Sequence, residues 1–266
     1  YTVFSNIFGG SATGRRFMYF GKDANFSHEQ SGDIFVSDFN VRGTTAGTVT
    51  EAGIYIACAD GLFFSNGHIG NTTAANVIFS AESTTNFGLV RFNGVMSDEG
   101  TGVGVLFQGS STIARHIQWN GGYIKGGGTT TRGINTSTTA TYYNVKFTGV
   151  DIHENSQEAV FIQSPNFRNV DFTGCHMFGN SYGNTGSFTA FRLEANCQDI
   201  RITGGQIGWF NVDPTTTGDT SYAISIPSTV TNVLVTGLDL RGNQTGSVTG
   251  AGGQFKNCIS QDSTTV

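Results

Sequence analysis

The chain has 266 residues, of which 37% are hydrophobic and only 12% charged, and its formal net charge is −5. That composition supports a thin continuous core in one domain or one elongated solenoid, with an exterior solvated largely by Ser, Thr, Asn and Gly. The acidic balance, without a Lys/Arg cluster, argues against nucleic acid as partner. No apolar run reaches membrane-spanning length, so no membrane insertion is expected.

An eight-residue block recurs down the chain: apolar, any, apolar, Ser/Thr/Asn, Gly/Asn/Asp, variable, polar, apolar. A weak copy begins at Thr2 (Phe4-Ser5-Asn6-Ile7), and clear copies begin at Ile34, Leu62, Val90, Ile117, Val145, Val170, Ile200 and Val233. Another weak copy begins at Gly253 (Phe255-Lys256-Asn257-Cys258). The steps between clear copies are 28, 28, 27, 28, 25, 30 and 33 residues, a period that means one structural coil per repeat. In Val145–Ile152, Val145 and Phe147 alternate with Lys146 as in a half-buried strand. Thr148-Gly149 then makes a corner, since Gly, Asn or Asp at the fifth position tolerates positive φ. Val150 and Ile152 resume inward, with Asp151 outward.

A further strand precedes most blocks by about ten residues. It is seen as Gly53-Ile54-Tyr55-Ile56, Gly104-Val105-Leu106-Phe107, Ala159-Val160-Phe161-Ile162, Ala190-Phe191-Arg192-Leu193 and Ala223-Ile224-Ser225-Ile226. The 38 glycines and the lack of a sustained 3.6-residue apolar period exclude a helical fold, and a propeller needs a longer period with internal hairpins. The pattern predicts an all-β, right-handed single-stranded parallel β-helix of nine to ten coils, with three short strands per coil. It forms one domain over 1–266, read as a fragment of a longer chain whose missing flank includes an N-terminal cap or attachment region. The 22 Phe suit a core in which one large side chain per coil stacks on the next. Cys175 and Cys258 lie about three coils apart in one inward column, and Cys58 and Cys197 lie about five coils apart before their blocks, so neither pair is within disulfide reach and all four read as buried free thiols.

Blocks such as Asn144-Val145-Lys146-Phe147-Thr148-Gly149 and Asn169-Val170-Asp171-Phe172-Thr173-Gly174 resemble the coils of bacteriophage tailspikes, within the wider pectate-lyase-like group of parallel β-helices. The resemblance covers essentially the whole chain. It implies a homotrimer on the virion tail, assembled in the host cytoplasm, that binds and often cleaves bacterial surface polysaccharide (O-antigen or capsule) with paired carboxylates. The same scaffold also hosts non-enzymatic adhesins and fibres, and lyases or epimerases acting on uronate polymers.

The ninth and tenth positions after each block start run Arg42-Gly43, Gly70-Asn71, Asp98-Glu99, Lys125-Gly126, His153-Glu154, Phe178-Gly179, Gly208-Trp209 and Arg241-Gly242. Here acids, a lysine, a histidine and aromatics converge. Glu99 and Glu154 hold the same position two coils apart, ~9–10 Å along the stack, at the upper end of the ~6.5–9.5 Å carboxyl separation of inverting glycosidases. Lys125, in the coil between, can depress one carboxyl and leave the other as proton donor. The expected catalytic set is therefore Glu99 and Glu154, with Asp98 and Asp151 as alternates. Lys125, His153, Trp209, Phe178, Arg42 and Asp213 are the expected glycan contacts, Trp209 and Asp213 belonging to an insert at 209–216. Isolated charges at solenoid corners more often simply solvate the turn. Asp151-Ile152-His153-Glu154 is similar to the Asp-Pro-His-Glu motif of alginate C5-epimerases, departing from it at the inward Ile152. His68, Tyr123, Asp151, His176 and Asp239 form a separate outward column, a trimer contact, a binding face or plain surface. No cofactor or metal is expected, because the acids are not clustered for several oxygen ligands.

Overall fold

The computed structural model describes residues 2–10, 14–21, 33–43, 49–58, 60–80, 87–109, 114–182, 186–208 and 220–260. All regular structure among them is strand, and every strand pairing is parallel. Two sheets carry the chain, one of fourteen strands built from the blocks and one of nine built from the intervening strands. The molecule is a parallel β-helix.

The blocks stack in the register that their spacing predicts. Ile34 pairs with Leu62, Leu62 with Val90, Val90 with Ile117, Ile117 with Val145, Val145 with Val170, Val170 with Ile200, and Ile200 with Val233. The weak copy at Thr2 joins by pairing with Ile34. All ten fifth positions, from Asn6 to Asn257, have φ between +52° and +66°, the left-handed region that only Gly and, less readily, Asn and Asp occupy at low cost. A second left-handed column, which the sequence did not signal, runs through the residue before the block: Gly61, Leu89, His116, Asn144, Asn169, Asp199 and Asn232.

The second sheet contains the five strands expected before the blocks, two of them longer than expected, at Val49–Ile56 and Val103–Gln108, two one residue shorter, at Val160–Ile162 and Phe191–Leu193, and one shifted by a residue, at Tyr222–Ser225. It also takes in Gly14–Phe20, Ala75–Ser80, Ile134–Thr136 and Gly246–Thr249, which the sequence pattern left unassigned. Its nine strands are separated by eight steps, slightly fewer turns than the nine to ten coils expected.

The core is a column of third-position side chains. Phe64, Phe92 and Trp119 stack face to face at 4.6 and 4.4 Å, and Phe147 lies on Phe172 at 4.9 Å. Phe79 lies on Phe107 at 4.7 Å in the second wall. Parallel stacking at the strand spacing puts identical ring positions at van der Waals distance, so one aromatic per coil fills the thin interior. The four cysteines are buried and free, as expected. Burial pushes the Cys175 and Cys197 thiols up to about 11, which keeps them as inert core groups.

The outer face of the second sheet carries a buried charge. Glu158 is fully buried and accepts from Arg132 at 2.7 Å and Arg192 at 3.4 Å. Both guanidiniums lie over the Phe161 ring, at 4.6 and 4.8 Å. Glu158→Ala strands Arg132 beside a cavity, while Arg192 keeps Glu194 at 2.6 Å, and is expected to cost about 3–5 kcal/mol, read by thermal unfolding. Corner substitutions should grade in the same assay. At Gly149 an added Cβ meets nothing, so Gly149→Asn is expected to be near neutral and Gly149→Ala to cost about 1–2 kcal/mol of left-handed strain. Gly205→Ala is expected to cost more than either, because its Cβ would stand 2.1 Å from the Cys175 carbonyl oxygen.

Candidate functional site

The second strand of each block ends at a further corner, and the ninth and tenth positions lie there. The parallel pairing aligns them into a track. Arg42 pairs with Gly70, Gly70 with Asp98, and His153 with Phe178. Lys125 follows Ile124, which pairs with Ser97 on one side and Ile152 on the other, so it falls between Asp98 and His153. Seven coil steps of ~4.8 Å make the track from Arg42 to Arg241 roughly 30 Å long.

Within it the side chains are joined from coil to coil. Arg42 pairs with Glu99, and Lys125 with Glu154. Asp98 bridges two neighbours, accepting a hydrogen bond from the Tyr123 hydroxyl on one oxygen at 2.5 Å and facing His68 Nε2 at 2.6 Å with the other. His153 lies flat on Phe178, with centroids 4.9 Å apart and planes 2° apart, and its other neighbour is Tyr123 at 5.3 Å. Asp151 faces His176 at 3.1 Å, and Arg241 makes a two-pronged contact with Asp239 at 2.6 and 2.9 Å.

Glu99 and Glu154 both sit in the left-handed region, at φ +54° and +52°. Other coils fill that corner with Asn71, Gly179 and Gly242 at positive φ, residues that adopt the conformation at less cost. Between the two glutamates lies Gly126, where a Cβ would stand 2.6 Å from the Arg132 carbonyl oxygen. Only glycine fits at that position, so the corner between the two glutamates carries no side chain of its own. A buried amide ladder fixes the chain immediately beyond: Asn155 Oδ1 accepts from the Gly126 N–H at 2.6 Å, and Asn155 Nδ2 donates to Asn180 Oδ1 at 2.7 Å.

The ionisable groups are polarised by these contacts. The hydrogen bond from Lys125 lowers the Glu154 carboxyl below the usual glutamate range, against opposing desolvation. Burial alone would raise Asp98, but hydrogen bonds from His68 and Tyr123 outweigh it and hold the carboxyl low. Burial and the same Asp98 bond push the Tyr123 phenol up, so it stays protonated. Desolvation lowers His153, leaving a neutral imidazole at neutral pH.

The structure thus brings together Arg42, Asp98, Glu99, Lys125, His153, Glu154 and Phe178 from the expected set. Asp151 lies in the adjoining column, two residues before His153 on the same face. Trp209 and Asp213 lie outside the described residues. The sequence separated His68 and Tyr123 from this site, although they bond directly to Asp98. The seventh and ninth positions of one strand point to one face, and that alternation was the available signal. Ile152 of the epimerase-like tetrad is fully buried in the core. Among the described residues no group of three or more His, Cys, Asp or Glu is placed to hold a metal, and no helix is long and apolar enough to cross a membrane.

Fold and track together define a parallel β-helix with a polar, ion-paired lateral face. Among solved structures, the chain is similar to the enzymatically active domain of tailspike protein 2 of bacteriophage CBA120. Identity is 16% and the TM-score 0.52, over 85% of this chain and 35% of that one. It is also similar to full-length tailspike protein 2 of an Escherichia coli O157:H7 bacteriophage, at 14% identity and a TM-score of 0.50, over 85% of this chain and 32% of that one. The chain therefore spans about a third of the length of these tailspikes, and the likeness is one of fold. No protein-family model and no curated protein matches it.

The ion pair gives a direct test. Glu154 has a lowered folded pKa, so its stabilising share is present above the unfolded value of about 4.3 and is lost as pH falls through the folded value. Lys125→Met removes the largest cause. The Glu154 carboxyl carbon resonance is then expected to titrate at higher pH, and the acid limb of the stability profile to flatten.

Proposed function

We propose that this chain is the β-helix portion of a phage tailspike-type protein of the virion tail, which binds a bacterial surface polysaccharide along the Arg42–Arg241 track and hydrolyses it. The observation that carries the reading is the track itself. It is an open face in which successive coils present carboxylates, bonded cations, imidazoles and an aromatic ring, a geometry suited to a polymer lying along the axis rather than to a small molecule in a closed cleft. The likeness in fold to tailspikes, one of them described as an enzymatically active domain, supports it. A homotrimer belongs to the same reading. Phe35, 39% exposed and stacked on Phe63 at 4.8 Å, offers apolar surface for a lateral contact.

In the hydrolytic step Glu154 is the base, since Lys125 holds it anionic, and it activates a water. Glu99 is the proton donor to the glycosidic oxygen. The donor role requires the Arg42–Glu99 pair to open when the glycan binds, so that Glu99 takes up a proton. Lys125 and Arg42 tune the two carboxyls, and His153 with Phe178 packs against the sugar. Two coils set the glutamates ~9–10 Å apart along the stack, and bending of the side chains toward each other brings them into the ~6.5–9.5 Å range of inversion.

The test is incubation with O-antigens and capsules, with products read by size, ultraviolet absorbance and anomeric proton resonances. Saturated oligosaccharides released with inverted configuration are expected. Glu99→Ala and Glu154→Ala should each reduce turnover about 10²–10⁴-fold while sparing binding. Unsaturated, ultraviolet-absorbing fragments would instead assign a lyase, and binding without fragments an adhesin.

A further inference from the structure

The track's charges also bear on what kind of polysaccharide can lie on it. Its cations are Arg42, Lys125 and Arg241, and each is already bonded to a carboxylate of the track: Glu99, Glu154 and Asp239. Two further carboxylates, Asp98 and Asp151, are bonded instead to His68, Tyr123 and His176. Apart from the imidazoles, five carboxylates stand against three cations.

We infer that the glycan crossing this face is neutral or amino-bearing, and that polymers carrying uronate, sialate or phosphate in their repeat are rejected. The inference rests on the polysaccharide reading above. An acidic sugar would have to take Lys125 from Glu154 or Arg241 from Asp239, exchanging one ion pair for another and leaving that carboxylate without a counter-charge. It would also approach a face of its own sign, and like-charge juxtaposition is the usual means by which a surface rejects a wrong partner. A neutral sugar meets neither obstacle. Its hydroxyls donate to the Asp and Glu oxygens without disturbing the Lys125–Glu154 and Arg241–Asp239 pairs, since an ionised carboxylate has several acceptor sites beyond the one each cation occupies. An ammonium group on the sugar would be attracted to Asp98 and Asp151. The His153 ring lying on Phe178 gives the same face an apolar element that needs no charge on its ligand. By the same argument a uronate lyase is disfavoured here, because such chemistry depends on cations that neutralise the substrate carboxylate.

The experiment is titration calorimetry and fluorescence binding of the full chain against two sets of purified polysaccharides. One set comprises neutral or amino-sugar O-antigens, and the other uronate-, sialate- or phosphate-bearing capsules. The tightest ligand is expected in the first set, at least tenfold ahead of any in the second, and affinity for a neutral ligand is expected to be unchanged or weakened as salt is lowered. A tightest ligand from the acidic set, or affinity for an acidic chain that climbs as salt falls, overturns the inference while leaving the polysaccharide reading intact. Binding to neither set overturns that reading and this inference with it. A second measurement uses Asp239→Asn, which releases Arg241. The ratio of its affinity for alginate, a polyuronate, to its affinity for the neutral ligand should rise at least tenfold over that of the unaltered chain. No rise in that ratio would show that engaged cations are not what excludes acidic chains.

Discussion

The structure depends on one backbone constraint, a left-handed residue at the fifth position of every block. A parallel stack requires each coil to turn at the same place, because a corner displaced by one residue would send the inward side chains of the following strand to the outside. Ten consecutive corners hold φ between +52° and +66°, and the side chains there are Gly, Asn or Asp throughout. With the corners in phase, the third-position rings are placed one strand spacing apart and stack without further adjustment, as Phe64, Phe92 and Trp119 do. Core packing is thus a consequence of corner chemistry as much as of hydrophobicity.

The candidate site uses the same geometry at a cost. Glu99 and Glu154 occupy a corner that Asn71, Gly179 and Gly242 fill with less strain, and each non-glycine residue so held costs roughly 1–3 kcal/mol. Local preference is therefore set aside twice, two coils apart, with a glycine between that no side chain can replace. Departures of this kind concentrate where placing a functional group outweighs local stability. The Asn155–Asn180 ladder is what keeps such a corner rigid. Buried amides bonded to the backbone of the adjacent coil fix the chain just past Glu154 and leave its carboxylate on the surface.

Electrostatically, the track is a set of local pairings rather than a field. Each cation is matched to a carboxylate one or two coils away or within its own coil, and Asp98 is satisfied by a phenol and an imidazole. This arrangement keeps carboxylates anionic on a half-buried face without excess positive charge. It suits recognition through hydroxyl hydrogen bonds more than through ion pairing. The low overall charge of the chain fits the same mode of recognition.

The sequence by itself determined the coil. Val145, Val170 and Ile200 were legible as stacked equivalents because parallel pairing preserves register whenever the repeat length is filled by loops, and the Gly, Asn or Asp two residues after each third-position side chain marked the corner. The same counting aligned Glu99, Gly126 and Glu154 before any coordinates. What only the tertiary structure decided were the contacts between columns. That Lys125 chooses Glu154, that Arg42 reaches across a coil to Glu99, and that Tyr123 and His68 close on Asp98 depend on side-chain torsions and on which strand ends turn toward one another. The left-handed Leu89 and His116 likewise lay beyond reading, since neither residue type announces that conformation and only the packing of the preceding corner imposes it. A repeat fixes position along the axis and around the coil; the bonds that long side chains make across it are settled by the assembled surface.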